Sequence, residues 1–125
     1  MSQYHAKGLR KRTTGKRRPA HKKKRYELGG TWVETRLGEQ AGKTKRTRGG
    51  ARKKALYHAG FVNVRDPKEN KVRKVKITGV LEHADNPHLV RRLVVTKGCI
   101  VETEIGKVRI TSRPTQDGTV NGTLL

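Results

Sequence analysis

Val72-Arg73-Lys74-Val75-Lys76-Ile77-Thr78-Gly79-Val80-Leu81 sets Val75 and Ile77 in alternation with Lys74 and Lys76. A period of two lets a strand bury one face and leave the other in water. Gly79, inside the run, marks a bulge or sharp bend. The same reading extends to both sides. Upstream, Phe61, Val62 and Val64 suggest a strand, and residues 31–37 alternate and favour β-forming types. Downstream, Leu89 to Thr96, Cys99 to Glu104 and Lys107 to Ser112 read as a three-strand meander, with reversals at Lys97-Gly98 and Ile105-Gly106. Asp85-Asn86-Pro87 reads as a turn, in which Asn86 can cap one helical turn with Pro87 first in it. Arg113-Pro114 ends the last strand, and Asp117-Gly118 and Asn121-Gly122 read as two more turns. Short strands at this spacing predict a mainly β fold, a small antiparallel β-barrel or sandwich.

Aliphatic residues place the core. Only five Leu, Ile or Val occur up to residue 59 (Leu9, Leu28, Val33, Leu37, Leu56), and twenty follow from residue 60 onward. The core therefore comes mostly from the second half, with the first half laid over its outside or over a partner. A core this small is marginal in isolation.

Charge divides the opposite way. Of the net +21, residues 1–55 carry nineteen Lys or Arg against three acids, a net +16, and residues 56–125 a net +5. Residues 1–25 hold eleven Lys or Arg and no Asp or Glu. Eleven uncompensated cations repel one another and are too costly to desolvate within a protein core, so a polyanion must supply the missing charge. Thr13-Thr14-Gly15, Pro19 and Gly29-Gly30 punctuate the basic runs, and Pro19 fixes a turn or extended path. Such punctuation suggests an arm with a defined path on nucleic acid rather than a solubilising tail. The expected organisation is an irregular basic RNA-binding arm over residues 1–30, then a single β-barrel-like domain over 31–125 that includes a basic Gly-rich loop, 38–54.

Within the arm, the candidate RNA contacts are Arg10, Lys11, Arg12, Lys16, Arg17, Arg18, His21, Lys22, Lys23, Lys24, Arg25 and Tyr26. Arg forks give bidentate phosphate contacts, Lys supplies point charges, and glycines let backbone approach backbone. A disordered basic tail or a nuclear import signal is the competing reading. Gly38 to Gly50 reads as the second basic loop, and Ala51 to Ala59 as a short helix or another extended basic piece. Candidate contacts here are Arg46, Arg48, Gly49, Gly50, Arg52, Lys53 and Lys54, together with Arg113 farther on. A glycine pair between cations can press main-chain amides onto phosphates.

The five aromatics, Tyr4, Tyr26, Trp32, Tyr57 and Phe61, all fall between residues 4 and 61. Trp32 and Phe61 sit in strand-like patterns and are expected in the core, whereas Tyr4 and Tyr26 are candidates to stack on unpaired bases. His5, His21, His58, His83 and His88 with the single Cys99 offer no recognised zinc spacing, so these histidines are read as solvated or phosphate-facing. Glu102 and Glu104 on one strand face opposite Arg109 read as a surface ion-pair set rather than an acid/base dyad. No nucleophile, base and oxyanion donors assemble, so no catalytic residue, metal or cofactor is expected. One cysteine forms no internal disulfide, and a reducing interior is the default compartment. The N-terminal charges lack an apolar run, so no secretory signal is expected there, and Leu93-Val94-Val95 is far short of a membrane span.

Arg10-Lys11-Arg12-Thr13-Thr14-Gly15-Lys16-Arg17-Arg18-Pro19, His21 to Gly29, Arg48-Gly49-Gly50, and Ser112-Arg113-Pro114 with Gln116 and Gly118 resemble the small-subunit ribosomal proteins of the eight-e family, shared by archaea and eukaryotes. Asn86 to Arg91 and Thr96 to Glu102 also look like that family, so the resemblance covers nearly the whole chain. The short length is similar to archaeal members. Ala51 stands where the family usually has Asn, and Thr115 where it usually has Gly.

The resemblance implies a structural constituent of the small ribosomal subunit, in the cytoplasm, that binds and stabilises rRNA beside neighbouring ribosomal proteins and supports translation. It implies no small-molecule substrate and no membrane. The charge itself implies neutralisation of phosphates with counterion release. Two rivals share that charge: a DNA-compacting architectural protein, and an RNA-processing enzyme with a basic guide arm. A duplex binder would present a helix, ribbon or apolar wedge for a groove, and none is evident in the sequence.

Overall fold

Strands carry this fold wherever alternation supplies a buried face. The computed structural model describes residues 2–5, 7–18, 20–47, 49–84 and 86–125. Pro19, Arg48 and Asp85, for which the sequence predicts a bend, an RNA contact and a turn, lie outside the described residues. The chain divides into two units, Met1–Trp32 and Val33–Leu125.

In the first unit, β1 (Ser2–Tyr4) pairs antiparallel with β2 (Leu28–Gly30), so the segment read as wholly irregular contains a three-residue ladder. His5 N–H extends it to Glu27 O at 2.9 Å. A single 3₁₀ turn, Arg25–Glu27, leads into β2. Three-residue strands with few apolar side chains give no alternation to read, so such a clasp is invisible to sequence pattern.

The second unit holds a short β3 (Arg36–Leu37) and a hairpin of β4 (Ala41–Arg46) and β5 (Arg52–Ala59). β5 is central, parallel to β3 and antiparallel to β4. The expected strand over 31–37 thus shrinks to its last two residues, and the expected loop 38–50 contains the six-residue strand β4. Residues 41–46 and 52–54 are exposed on both faces, which removes the apolar alternation that marks a strand. Thr35 explains the short β3. Its buried hydroxyl donates to Leu56 O at 2.8 Å, while its own carbonyl accepts from Val95 N–H at 2.7 Å.

The barrel follows. β6 (Phe61–Arg65) pairs antiparallel with β7 (Val72–Glu82), β7 with β8 (Ile100–Thr103), and β8 with β9 (Gly106–Ile110). β10 (Asn121–Leu124) lies antiparallel to β9 and parallel to β6, closing a five-stranded barrel. A register shift between Ile77 and Gly79 is the irregularity that Gly79 signalled. Val62, Val64, Val75, Ile77, Val101, Val108 and Ile110 fill the interior, joined by Leu56 and Ala59 from β5 and by Val80, Val95, Cys99 and Val120. Valines dominate because a closed barrel of five strands leaves a narrow interior.

Between β7 and β8, α1 (Pro87–Arg91) starts as expected, with Asn86 Oδ1 accepting from His88 N–H at 2.9 Å. Leu89 and Val90 are therefore helical, not part of a strand over 89–96. The chain leaves the helix through Leu93 in the left-handed region (φ 53°), and Val94 makes one bridge to Arg36. Apolar runs of this length do not distinguish strand from helix, and here the Asn-Pro cap decided. The three-strand meander is consequently one hairpin, β8–β9.

After β9, α2 (Pro114–Asp117) ends on Gly118 at φ 72°. Asn121-Gly122, read as a turn, is strand instead. A Cβ on Gly122 would lie 2.5 Å from Val108 Cγ1 and 2.8 Å from Arg109 O, so this glycine permits close packing rather than a reversal.

Side-chain placement corrects four expectations. Trp32 is 61% exposed and Phe61 45%, so neither is core. Val62 and Val64 take the inward phase of β6 and direct Phe61 outward. Glu102 faces Lys107, while Arg109 pairs with Ile100 and Glu104 lies in the turn beyond β8. His83 is 8% exposed rather than solvated, with Nε2 against the Thr96 hydroxyl. Burial pushes the Cys99 thiol above its ordinary pKa.

Candidate nucleic-acid interface

In the first unit, Thr13-Thr14-Gly15 reverses the chain. Lys11 N–H donates to Gly15 O (2.9 Å), Arg17 N–H to Leu9 O (2.8 Å), and Arg10 bridges Lys16. Thr14 holds φ 63°, an uncommon conformation for a β-branched residue, and its carbonyl accepts from Arg10 Nη1 at 3.2 Å. Arg10, Lys11, Arg12, Lys16 and Arg17 are thereby gathered around one exposed turn. Arg18, Lys22, Lys23 and Lys24 are exposed as well. A cleft of about 600 Å³ in this unit is lined by Tyr4, Leu9 and Ala20, by Lys7, Arg17, Arg18, Lys22 and Lys23, and by His21 and Glu27.

Glu27 is the one carboxylate in this stretch of sequence, and it serves the arm's own structure. The Lys24 N–H donates to Oε2 at 3.0 Å and His21 Nε2 lies 2.9 Å from Oε1. The Lys24 amide first, then the His21 ring, hold this carboxyl below its ordinary pKa. His21 therefore has an internal partner in addition to any phosphate. Tyr26 is 62% exposed with Lys24 Nζ 6.0 Å from its ring centre, and Lys23 Nζ lies 5.4 Å from the ring of Tyr4. Both rings are flanked by cations, the setting in which an aromatic can stack on a base and a neighbour can hold its phosphate.

In the second unit, β4 and β5 put like charges face to face: Arg46 opposite Arg52, and Lys45 opposite Lys53. Directly opposed like charges destabilise a strand pair. No Asp or Glu occurs between Glu39 and Asp66 to relieve them. Lys43 and Lys45, which the sequence groups with Arg46, Arg52, Lys53 and Lys54 in one basic cluster, lie on the same ladder, Lys43 opposite Ala55 and Lys45 opposite Lys53. At the hairpin tip, Gly49 and Gly50 have φ of 87° and 89°, and Gly50 N–H donates to Thr47 O at 3.2 Å. The Gly50 amide is therefore committed to the turn. Ala51 contributes through its carbonyl, which accepts from Thr47 N–H (2.7 Å) and Thr47 Oγ1 (2.9 Å), so its side-chain type does not enter that contact.

The hairpin is anchored at its base by Leu56 and Ala59 in the core. It is braced by α2, since Gly118 sits against Lys54 so tightly that a Cβ there would be 2.6 Å from Lys54 Cβ. Arg113 opens α2, its N–H held by Asp117 Oδ2 at 2.7 Å and its side chain exposed. The candidates thus fall into two sets: an arm cluster in the first unit, and a hairpin with Arg113 in the second. Among the described residues no group of three His, Cys, Asp or Glu could hold a metal ion, and no helix is long and apolar enough to cross a membrane.

The sequence model for ribosomal protein S8e matches residues 4–125. The chain belongs to the ribosomal protein S8e family. Among its relatives, the small ribosomal subunit protein eS8 of Picrophilus torridus is 44% identical over 125 residues, covering 100% of both chains. That of Methanoregula boonei is 47% identical over 117 residues, 94% of each chain. That of Nanoarchaeum equitans is 49% identical over 113 residues, 90% of this chain and 89% of the relative. Membership therefore spans both units, from the β1 strand to the end of β10.

Proposed function

We propose that this S8e-family chain is a structural constituent of the small ribosomal subunit, resident with it in the cytoplasm, and that its arm and hairpin bind and brace rRNA beside neighbouring ribosomal proteins. The observation that carries the reading is the pairing of Arg46 with Arg52 and Lys45 with Lys53 in a hairpin with no carboxylate. A ladder that repels itself is stabilised when phosphates lie along it, and each phosphate neutralised releases counterions. The arm turn supplies a second set of cations for the same purpose. Positioning RNA is the work assigned to these residues; no reaction is.

Binding of the chain to small-subunit rRNA across a salt series tests this. The logarithm of the binding constant should fall with log salt by roughly 0.7–0.9 per phosphate contact. Changing Arg17 and Arg18 together to Ala should weaken binding and flatten that slope by about one unit for each phosphate left without its cation. A double variant that keeps both affinity and slope would remove the arm from the interface. Duplex DNA competing as well as structured RNA at matched salt would favour the architectural DNA-binding alternative.

A further inference from the structure

The outward face of the barrel on β7, β6, β10 and β9 carries chemistry that neither the arm nor the hairpin uses. Phe61, Asn63 and Arg65 point away from the core because Val62 and Val64 point into it. Register places Phe61 opposite Lys76 and Asn63 opposite Lys74. On the other side Asn121 lies beside Asn63, and Thr123 between Arg65 and Arg109. Lys74 Nζ is 4.8 Å from the Phe61 ring centre, and Asn63 Nδ2 donates to Asn121 Oδ1 at 2.9 Å. A groove of about 500 Å³ adjoins the amide pair, lined also by Arg65, Thr111 and Thr123. None of these outward positions is a carboxylate.

We propose that this face is a second RNA contact, a platform on which an unpaired nucleotide of single-stranded RNA stacks. Phe61 offers a half-exposed ring to the base, and base–aromatic stacking tolerates any base. The Asn63–Asn121 pair presents amide donors and acceptors beside it, the groups that read a base edge. Lys74 and Lys76 flank the ring for the phosphates, and Arg65 stands farther along the same face, beyond Asn63. The Lys74 contact with the ring is an exposed and therefore weak one, so an incoming base displaces it and leaves the ammonium beside the backbone. An acidic protein segment would use the cations but neither the ring nor the amides. A duplex keeps its bases stacked and would leave Phe61 unused. The proposal takes RNA as the polymer from the reading above, yet it rests on none of the arm or hairpin residues.

The test uses the full chain and unstructured octa-adenylate and octa-uridylate, followed by fluorescence anisotropy and by amide NMR. Amides of 61–65, 72–76 and 121–123 should shift on titration. Phe61→Ala should weaken binding about five- to thirty-fold without changing the salt slope, and Phe61→Tyr should restore it. Asn63→Ala with Asn121→Ala should weaken binding while the amide spectrum stays dispersed. Phe61 is exposed, so its removal leaves the core intact, which the same spectrum verifies. Wild-type affinity in the Phe61 and Asn63/Asn121 variants, or shifts confined to residues 2–30 and 43–54, would overturn the platform and leave the arm and hairpin reading standing. Loss of oligonucleotide binding by the Arg17/Arg18 variant alone would do the same. Equal shifts of the barrel amides with octa-glutamate would overturn it in favour of an acidic partner.

Discussion

Gly118 concentrates two demands on one backbone position. It takes φ 72° at the end of α2, and its α-carbon packs against Lys54 of β5, with Lys54 O only 3.1 Å from where a Cβ would stand. Replacing it with Ala imposes the left-handed penalty and the steric clash together, a loss of about 2 kcal/mol or more. Denaturant unfolding of Gly118→Ala should show a lower midpoint at unchanged slope. Glu27 makes the pH counterpart in the arm. Its folded-state pKa is depressed, chiefly by the Lys24 amide and next by His21, so its contribution is present above the unfolded carboxylate value and lost as pH falls through the folded one. Amide exchange in the 24–28 stretch should therefore be faster at strongly acid pH, after correction for intrinsic rates, and Glu27→Gln should abolish that pH dependence.

The β4–β5 hairpin trades its own stability for a surface. Because Lys45 lies opposite Lys53, Lys53→Glu converts a repulsive cross-strand pair into an attractive one. The isolated protein should gain roughly 0.2–1 kcal/mol in thermal or denaturant unfolding, while rRNA binding weakens and its salt slope flattens. Opposite signs in the two measurements are the mark of an element shaped by its partner. A variant that loses stability and keeps its RNA affinity would show the hairpin to be mere scaffold. The same logic does not apply to β6–β7, where Val62 and Val75 are opposed and buried.

Taken entire, the molecule places its buried cluster wholly within residues 56–120, in the second unit. Removing residues 1–32 should therefore leave cooperative unfolding of the barrel, monitored by circular dichroism, while the salt dependence of rRNA binding becomes shallower. Loss of cooperative unfolding on truncation would mean that the first unit contributes to the core.

Alternation at Val75 and Ile77, the irregularity at Gly79 and the Asn86-Pro87 cap were legible in sequence because each is a local event with a local signal. The excess of cations, and hence the need for a polyanion, was legible for the same reason: charge is additive along a chain. Residues 41–46 and 52–54 were not, since a ladder exposed on both faces leaves no apolar period. Nor was the exposure of Phe61, because local pattern marks an aromatic as strand-forming without fixing which side of the strand meets the core; the phase set by Val62 and Val64 decided it. Gly122 reads as a turn until Val108 and the Arg109 carbonyl are found against it. Sequence alone determined a basic, mainly β chain with its apolar residues held back to the second half. Strand register and barrel closure, which depend on residues distant in sequence meeting at a few ångströms, decided which cations oppose one another and which side chains the barrel turns outward.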